Sequence, residues 1–494
     1  MKPTEPLRLL NSAELAPLPL QDWAAQCALA LEQGARLLTL FGRADGAEEV
    51  VTTAVFQTSA GQLSVLRGRG LRGDSFPSLT LRFPSAQMAE RELWEQTGLM
   101  PAGHPWLKPV RYEGALQQRM NAHEFFKVRG QEVHEVGVGP IHASVIEPGH
   151  FRFMCLGEEV QHLEIQLGYQ HRGVEALLLQ RPPLSLSSRI ESVVGDSSVA
   201  YAWAYCAAME ALCGHRVSAQ TELVRGVALE LERVAMHLAS LTGLATDIAF
   251  LQGGATYGRL RTAIINASMR ACGSRFGRGW LRPGGVRFGL TEALRADLLA
   301  TLAAFARDFA QMNELMLGSR SVRARFQGVG VVSAIDAKAL GLVGLVARAS
   351  GVALDTRSNL PGNLYAAHPM ASLTETGGDC WARMRLRMRE IDASVQWLTQ
   401  RLQQPCDAAP ADTVLPSGQA LQADALCVSV REGFRGEIVH VVETDAAGQL
   451  LHYKLQDPSF QNWFGLALCM RDNEIADFPI CNKSFDLSYC GSDL

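Results

Sequence analysis

The chain has 494 residues, of which 47% are hydrophobic and 19% charged, with a formal charge of -4. That length and core-forming content predict two folded domains, and the slight negative charge argues against a nucleic-acid surface. Residues 1–20 carry Pro3, Glu5 and Glu14 and no compact apolar core, so no secretory signal is expected. The longest uncharged stretch, 358–374, contains Asn359, Pro361, Asn363 and His368 and is too polar to span a membrane.

In chain order, 20–41 is expected to be helical, 50–65 a pair of strands turned at Ala60-Gly61, and 79–83 a short strand. The run Ala89-Glu90-Arg91-Glu92-Leu93-Trp94 precedes Gly98 and Gly103-His104-Pro105. Residues 113–135 are polar and mixed in charge, as in a linker. Strands are expected at 139–146 and 436–455. A helix over 199–212 is expected to be N-capped by Asp196 and Ser197. Within 222–241, Leu223, Val227, Leu231, Val234, Leu238 and Leu241 recur at spacings of three and four, one apolar helical stripe. Met384, Leu386, Met388, Ile391, Val395 and Leu398 do the same within 378–402.

Glu230, Arg233 and His237 lie at i, i+3 and i+7 on the first of these helices. A paired structural network is the favoured reading of that stripe, and a proton route the other. The 11 cysteines are odd in number and dispersed, with no two of them three residues apart. Such cysteines predict free thiols in a reducing compartment and no iron–sulfur cluster within the chain.

The E-R-E-x-W…G…G-H-P pattern resembles the 30 kDa-type subunit of respiratory complex I, with Glu90 and Arg91 as scaffold residues. Several motifs follow in order. They are Gly139-Pro140-Ile141-His142 with Glu147-Pro148-Gly149-His150, then Gly168-Tyr169-Gln170-His171-Arg172-Gly173-Val174-Glu175, then Glu230-Leu231-Glu232-Arg233 with His237. Arg282-Pro283-Gly284-Gly285, Arg348-Ala349-Ser350-Gly351 with Asp355 and Arg357, Gly378-Asp379, Arg435-Gly436-Glu437 and Pro458-Ser459-Phe460 complete the series. Together they resemble the large subunit of membrane-bound NiFe hydrogenases and its complex I relative, the 49 kDa subunit. The resemblance implies an α+β fold. A small 30 kDa-like domain over 1–125 and a linker over 126–138 would precede a predominantly helical large-subunit domain with small β hairpins over 139–494.

The departures fall on the metal site. The hydrogenase motif E-R-x-C-G-x-C reads Glu191-Ser192-Val193-Val194-Gly195-Asp196-Ser197 here, with Val194 and Ser197 at the thiolate positions. S-F-D-P-C-x-x-C reads Ser484-Phe485-Asp486-Leu487-Ser488-Tyr489-Cys490-Gly491, with Ser488 and Gly491 at the other two. Nickel and low-spin iron need soft thiolate donors, so no metal is expected. The complex I quinone tyrosine falls on Ser192, its quinone histidine on Ile146 with His150 nearby, and its cluster histidine on Leu244, while Asp247 is kept. The combination resembles the energy-converting hydrogenase-related complexes.

Transferred by position, the resemblance gives Glu191 and Asp247 as catalytic candidates, Glu191 in proton transfer. A raised pKa would suit that role; pairing of Glu191 with a neighbouring arginine, Arg189 or Arg172 among them, is the alternative. His171 and Arg172 would face a 4Fe-4S cluster in a partner subunit, unless Arg172 only pairs with Glu175. His142 and His150 would belong to the cofactor-binding hairpin, and Val194, Ser197, Ser488 and Gly491 would line the pocket.

No cofactor is expected on this chain itself, with a quinone as the candidate acceptor. The implied partners are a small iron–sulfur subunit, a ferredoxin-like subunit, and proton-channel and antiporter-like membrane subunits. The implied location is cytoplasmic, peripheral to the inner membrane through the complex. A non-catalytic coupling scaffold is the alternative, and an active NiFe hydrogenase the reading least favoured.

Overall fold

The computed structural model describes residues 5–113, 120, 123–143, 146–404 and 412–494. Parts of the expected 1–125 domain lie outside these, as does Cys406; the ten described cysteines are free thiols. The fold is α+β.

In the N-terminal region a four-stranded sheet runs Leu18–Pro19, Leu63–Leu71, Glu49–Gln57, Arg36–Asp45, with only its first pairing parallel. The helix Leu20–Glu32 covers one face, burying Trp23 and Cys27. This corrects the expected helix over 20–41: Gly34, at φ +83°, takes the chain out of the helix. From Arg36 on, the chain is a strand paired with Glu49–Gln57.

The expected strand at 79–83 is also displaced, to Ser75–Pro77. The buried Glu90 carboxylate accepts from Leu79 N at 2.7 Å and Thr80 N at 3.3 Å, so these donors go to a side chain rather than to a ladder. Glu90 thus has a scaffold role.

The second face of this sheet meets another sheet, ordered Leu7–Asn11, Ala425–Glu432, Glu437–Thr444, Leu450–Gln456 and antiparallel throughout. Leu38, Phe41, Val55 and Leu63 interdigitate with Val428, Val430, Val439 and Val441. The first strand of the chain is therefore the edge strand of a sheet whose other members lie near its end, Leu7 facing Ser429. A buried triad adds to the junction: Glu92 accepts from Lys454 Nζ at 2.5 Å and from Arg111.

Part of the expected linker is a strand. Val133–Val138 pairs with His150–Leu156, which pairs with Glu159–Gln166. Val136 and Val138 reach the main core, which is the reason this segment is ordered.

The helices Ala219–Asp247, Leu251–Cys272, Glu292–Gly318 and Cys380–Gln403 pack on one another. Beside the first of these helices, Ser198–Leu212 is buried along its length, as an apolar helix without a polar side must be. It backs onto the strands Ala425–Glu432 and Glu437–Thr444. Among the described residues no helix is long and apolar enough to cross a membrane.

Candidate functional site

The first motif lies between the short helix Ser187–Ile190 and the helix Ser198–Leu212. Ile190, Val193 and Val194 are apolar and turn into the core. Glu191 is buried with them, and its Oε1 accepts from Gly279 N and from Arg282 Nη1, each at 2.9 Å. Glu191 is therefore paired with an arginine, Arg282, which is neither of the two named from the sequence. Arg189 bonds the Leu177 carbonyl and Arg172 bonds three others.

The expected cap of the next helix is also corrected. Ser197 makes no side-chain cap bond; the Glu232 carboxylate accepts from Val199 N at 2.7 Å and Ala200 N at 3.2 Å. Asp196 is instead held bidentately by Arg435, at 2.7 and 2.8 Å.

The second motif starts as the helix Phe478–Phe485 ends at Asp486, in the left-handed region at φ +57°. Ser488 then caps the helix Tyr489–Asp493 by accepting from Gly491 N at 2.9 Å. Beneath it, Asp457 caps the helix Pro458–Cys469 and accepts from Tyr201 Oη at 2.7 Å. Burial pushes the Asp457 carboxyl above its ordinary range and Tyr201 far above its own. A Cβ on Gly491 would lie 2.6–2.7 Å from the Asp457 carboxyl group and 2.9 Å from Ser488 Oγ. The nearby Cys490 is pushed by burial to about 11, so its thiol keeps its proton at neutral pH.

Two guanidinium groups staple the motifs together. Arg435 joins Asp196 to the Asp486 carbonyl. Arg172 donates to the Ser192 and Val193 carbonyls at 3.2 and 2.9 Å and to that of Cys490 at 3.0 Å. Val194, Ser197, Ser488 and Gly491 thus lie on two converging turns. The pairing of Arg172 with Glu175 does not occur: Glu175 accepts from Leu455 N and pairs with Lys454.

His171 sits beside the second turn, with Nε2 2.8 Å from Glu113 and Nδ1 2.8 Å from the Asp493 carbonyl. Burial alone would lower its pKa, but these acceptors outweigh burial and raise it. His142 bonds the Gly149 carbonyl across its own hairpin at 2.7 Å. His150 stands edge-on to Phe125, its pKa lowered by burial. Asp247 is exposed at the end of its helix, and the structure brings it no hydrogen-bond partner from the two motif turns.

Behind the turns lies a buried charge network. Glu230 accepts from Ser394 at 2.6 Å, Tyr365 at 2.8 Å, and Arg233 and Arg357 at 3.1 Å. Glu390 accepts from Arg348 and is 2.9 Å from His237 Nε2, while Arg387 reaches His237 Nδ1 at 3.1 Å. Burial pushes His237 down to about 4, so the ring is neutral at neutral pH. The expected polar stripe is a paired network.

Glu232 went unnoticed in the sequence. Burial raises its carboxyl to about 8 against the pull of the two backbone N–H groups. An unfolded glutamate titrates at about 4.3. Between these values the folded chain holds a proton that the unfolded chain has lost, so stability falls as pH rises through this window. Glu232→Gln should flatten this dependence, read as urea midpoints at about pH 5 and about pH 8. An unchanged slope would remove Glu232 as its source.

Arg282, Arg435 and Asp457 were missed as site residues as well. The signals were there: two arginines inside the family-like motifs, and an Asp-Pro-Ser helix start.

The two motif turns are set between a helical bundle and a small sheet. Profiles of the respiratory-chain NADH dehydrogenase match in two places, the 30 kDa subunit over residues 33–117 and the 49 kDa subunit over residues 247–423. The chain therefore fuses 30 kDa-like and 49 kDa-like regions in one polypeptide and is homologous to hydrogenase large subunits and to the corresponding subunits of NADH-quinone oxidoreductases. Over 447 residues it is 28% identical to formate hydrogenlyase subunit 5 of Escherichia coli (strain K12), covering 85% of this chain and 77% of that protein. It is 29% identical over 361 residues to the carbon monoxide-induced hydrogenase of Rhodospirillum rubrum, covering 71% of this chain and 96% of that protein. An NADH-quinone oxidoreductase subunit of Clostridium beijerinckii is 27% identical over 328 residues, covering 66% of this chain and 87% of that protein.

Proposed function

We propose that this chain is the peripheral large subunit of a membrane-bound, ion-translocating redox assembly and works without a nickel–iron centre of its own. The observation behind this reading is the donor set on the two converging turns: Val194, Ser197, Ser488 and Gly491. None can supply a thiolate, and Cys490 is a protonated thiol bonded at 3.5 Å to Ser488. The residues present do not fit the metal pair.

In this reading the chain sits on the cytoplasmic face of the inner membrane. It packs against a small iron–sulfur subunit whose 4Fe-4S cluster lies near His171 and Arg172, and a ferredoxin-like subunit feeds that cluster. Proton-channel and antiporter-like subunits anchor the assembly. The acceptor, a quinone or another small molecule, takes electrons from the cluster next to Glu191.

A coupling scaffold is the second reading. It is favoured by the close packing of Asp457 against Gly491 and by the Arg435–Asp196 clamp, which fill the region between the turns with fixed side chains.

The test is the native assembly, solubilised and purified through this chain. Co-purification with an iron–sulfur subunit and membrane subunits, without stoichiometric nickel, is the expected result; stoichiometric nickel would overturn it. Glu191→Gln in that assembly then separates the readings. Loss of acceptor reduction supports the redox subunit, and intact electron transfer with lost ion transport supports the scaffold.

A further inference from the structure

A cavity of about 480 Å³ lies away from the two turns, between the N-terminal region and the large region. Met88, Arg91 and Trp106 form one wall, and Ile165, Phe464 and Ala467 another. Its size is within the roughly 300–1,000 Å³ of small-ligand sites. Its lining is mainly apolar, yet its charges do not cancel.

Glu164 is the only carboxylate among the described lining residues, and it is already bonded to Lys108 Nζ and Phe126 N, both at 2.7 Å. Arg91 donates Nε to the Lys108 carbonyl at 2.6 Å and Nη2 to that of Pro109 at 3.2 Å, and contacts the Met88 sulfur at 3.3 Å. It has no carboxylate at ion-pair distance among the described residues, and two of its five N–H donors are left over. Arg471, exposed at the rim, makes no side-chain hydrogen bond or ion pair among the described residues. His162, which also lines the cavity, has its pKa lowered by burial and adds no charge at neutral pH. An apolar chamber with two guanidinium groups that have no ion-pair partner among the described residues is complementary to a hydrocarbon body bearing an anion.

We propose that this cavity binds a single-chain anionic amphiphile, its tail against Met88, Ile165, Phe464 and Ala467 and its carboxylate or phosphate on Arg91 and Arg471. Because both regions supply walls, occupancy ties the N-terminal region to the large one. The ligand comes either as a free fatty acid or as a membrane lipid whose acyl chain enters the cavity.

The test is fluorescence titration of the full chain with dansyl-labelled undecanoic acid and with the corresponding neutral alcohol. The wild type should bind the acid saturably. Arg471→Gln should weaken the acid by about tenfold, the loss of one charge-assisted contact, and leave the alcohol unchanged. Ala467→Trp, which fills the chamber, should abolish binding of both, with the variant's thermal unfolding showing that it is folded.

Sedimentation with phosphatidylglycerol vesicles distinguishes the sources. Association lost in Ala467→Trp identifies a membrane lipid, and acid binding without such association identifies a free fatty acid. Absence of saturable binding, equal binding by a folded Ala467→Trp protein, or equal weakening of acid and alcohol by Arg471→Gln would overturn the proposal.

Discussion

Arg348→Met should lower the unfolding free energy by about 3–5 kcal/mol, the usual result of removing one partner from a buried ion pair. The Arg348 side chain is fully buried. Its Nη1 donates to Glu432 at 2.8 Å and to the Leu354 carbonyl at 2.7 Å, and its Nε donates to Glu390 at 3.1 Å. Asp355 is 3.8 Å away. Methionine roughly replaces the volume but removes the guanidinium that Glu390 and Glu432 share in a low dielectric, while Asp355 keeps Arg357 at 2.7 Å. Urea denaturation followed by tryptophan fluorescence measures the loss. A change under about 1 kcal/mol would mean that the carboxylates find other partners. Glu390→Leu on the Arg348→Met background should recover part of the loss, because the stranded charge is then gone.

The second result concerns the four positions where the hydrogenase motifs carry cysteine. Placing cysteine at 194, 197, 488 and 491 together should yield a chain that takes up no stoichiometric nickel on dialysis and is less stable by about 1–3 kcal/mol. Gly491 is the obstacle. A side chain there runs into Asp457, which is fixed by Tyr201 and by its own cap on Ser459 N at 2.8 Å. Asp457 cannot yield without stranding a buried phenol. Gly491→Cys alone should carry most of the loss, read as a fall in the thermal midpoint. Stoichiometric nickel in the fourfold variant would show that the turns can hold the geometry of a metal site.

The long helices were legible because their apolar residues repeat with the helical period, and the structure places helices over both stretches, at Ala219–Asp247 and Cys380–Gln403. The segment 20–41 misled because a uniformly apolar run such as Leu37, Leu38, Leu40 and Phe41 suits a helix and a buried strand equally well. Only the glycine at 34 separates the two. At the site, motif order revealed which turns matter but not what holds them. Arg435 meets Asp196 from 239 positions away, and Tyr201 meets Asp457 from 256. No local pattern encodes pairs so distant. Glu232 was hidden for a related reason: a glutamate inside the Glu230–Arg233 motif reads as part of that motif, not as the cap of another helix.

The edge strand Leu7–Asn11 bears on how the protein is made. Its partner, Ala425–Glu432, leaves the ribosome only after almost all the intervening chain. At about 5–20 residues per second that delay is roughly 20–80 s. During it, Leu10 has neither its neighbours on the sheet nor the apolar layer that later covers it. The N-terminal region can assemble its own sheet in that time, but its outer face stays bare until the last strands arrive. Closure of the strand Leu7–Asn11 on Ala425–Glu432 therefore waits until residues 425–432 have been made, and a nascent chain stalled before residue 425 would present this face to whatever binds exposed hydrophobic surface.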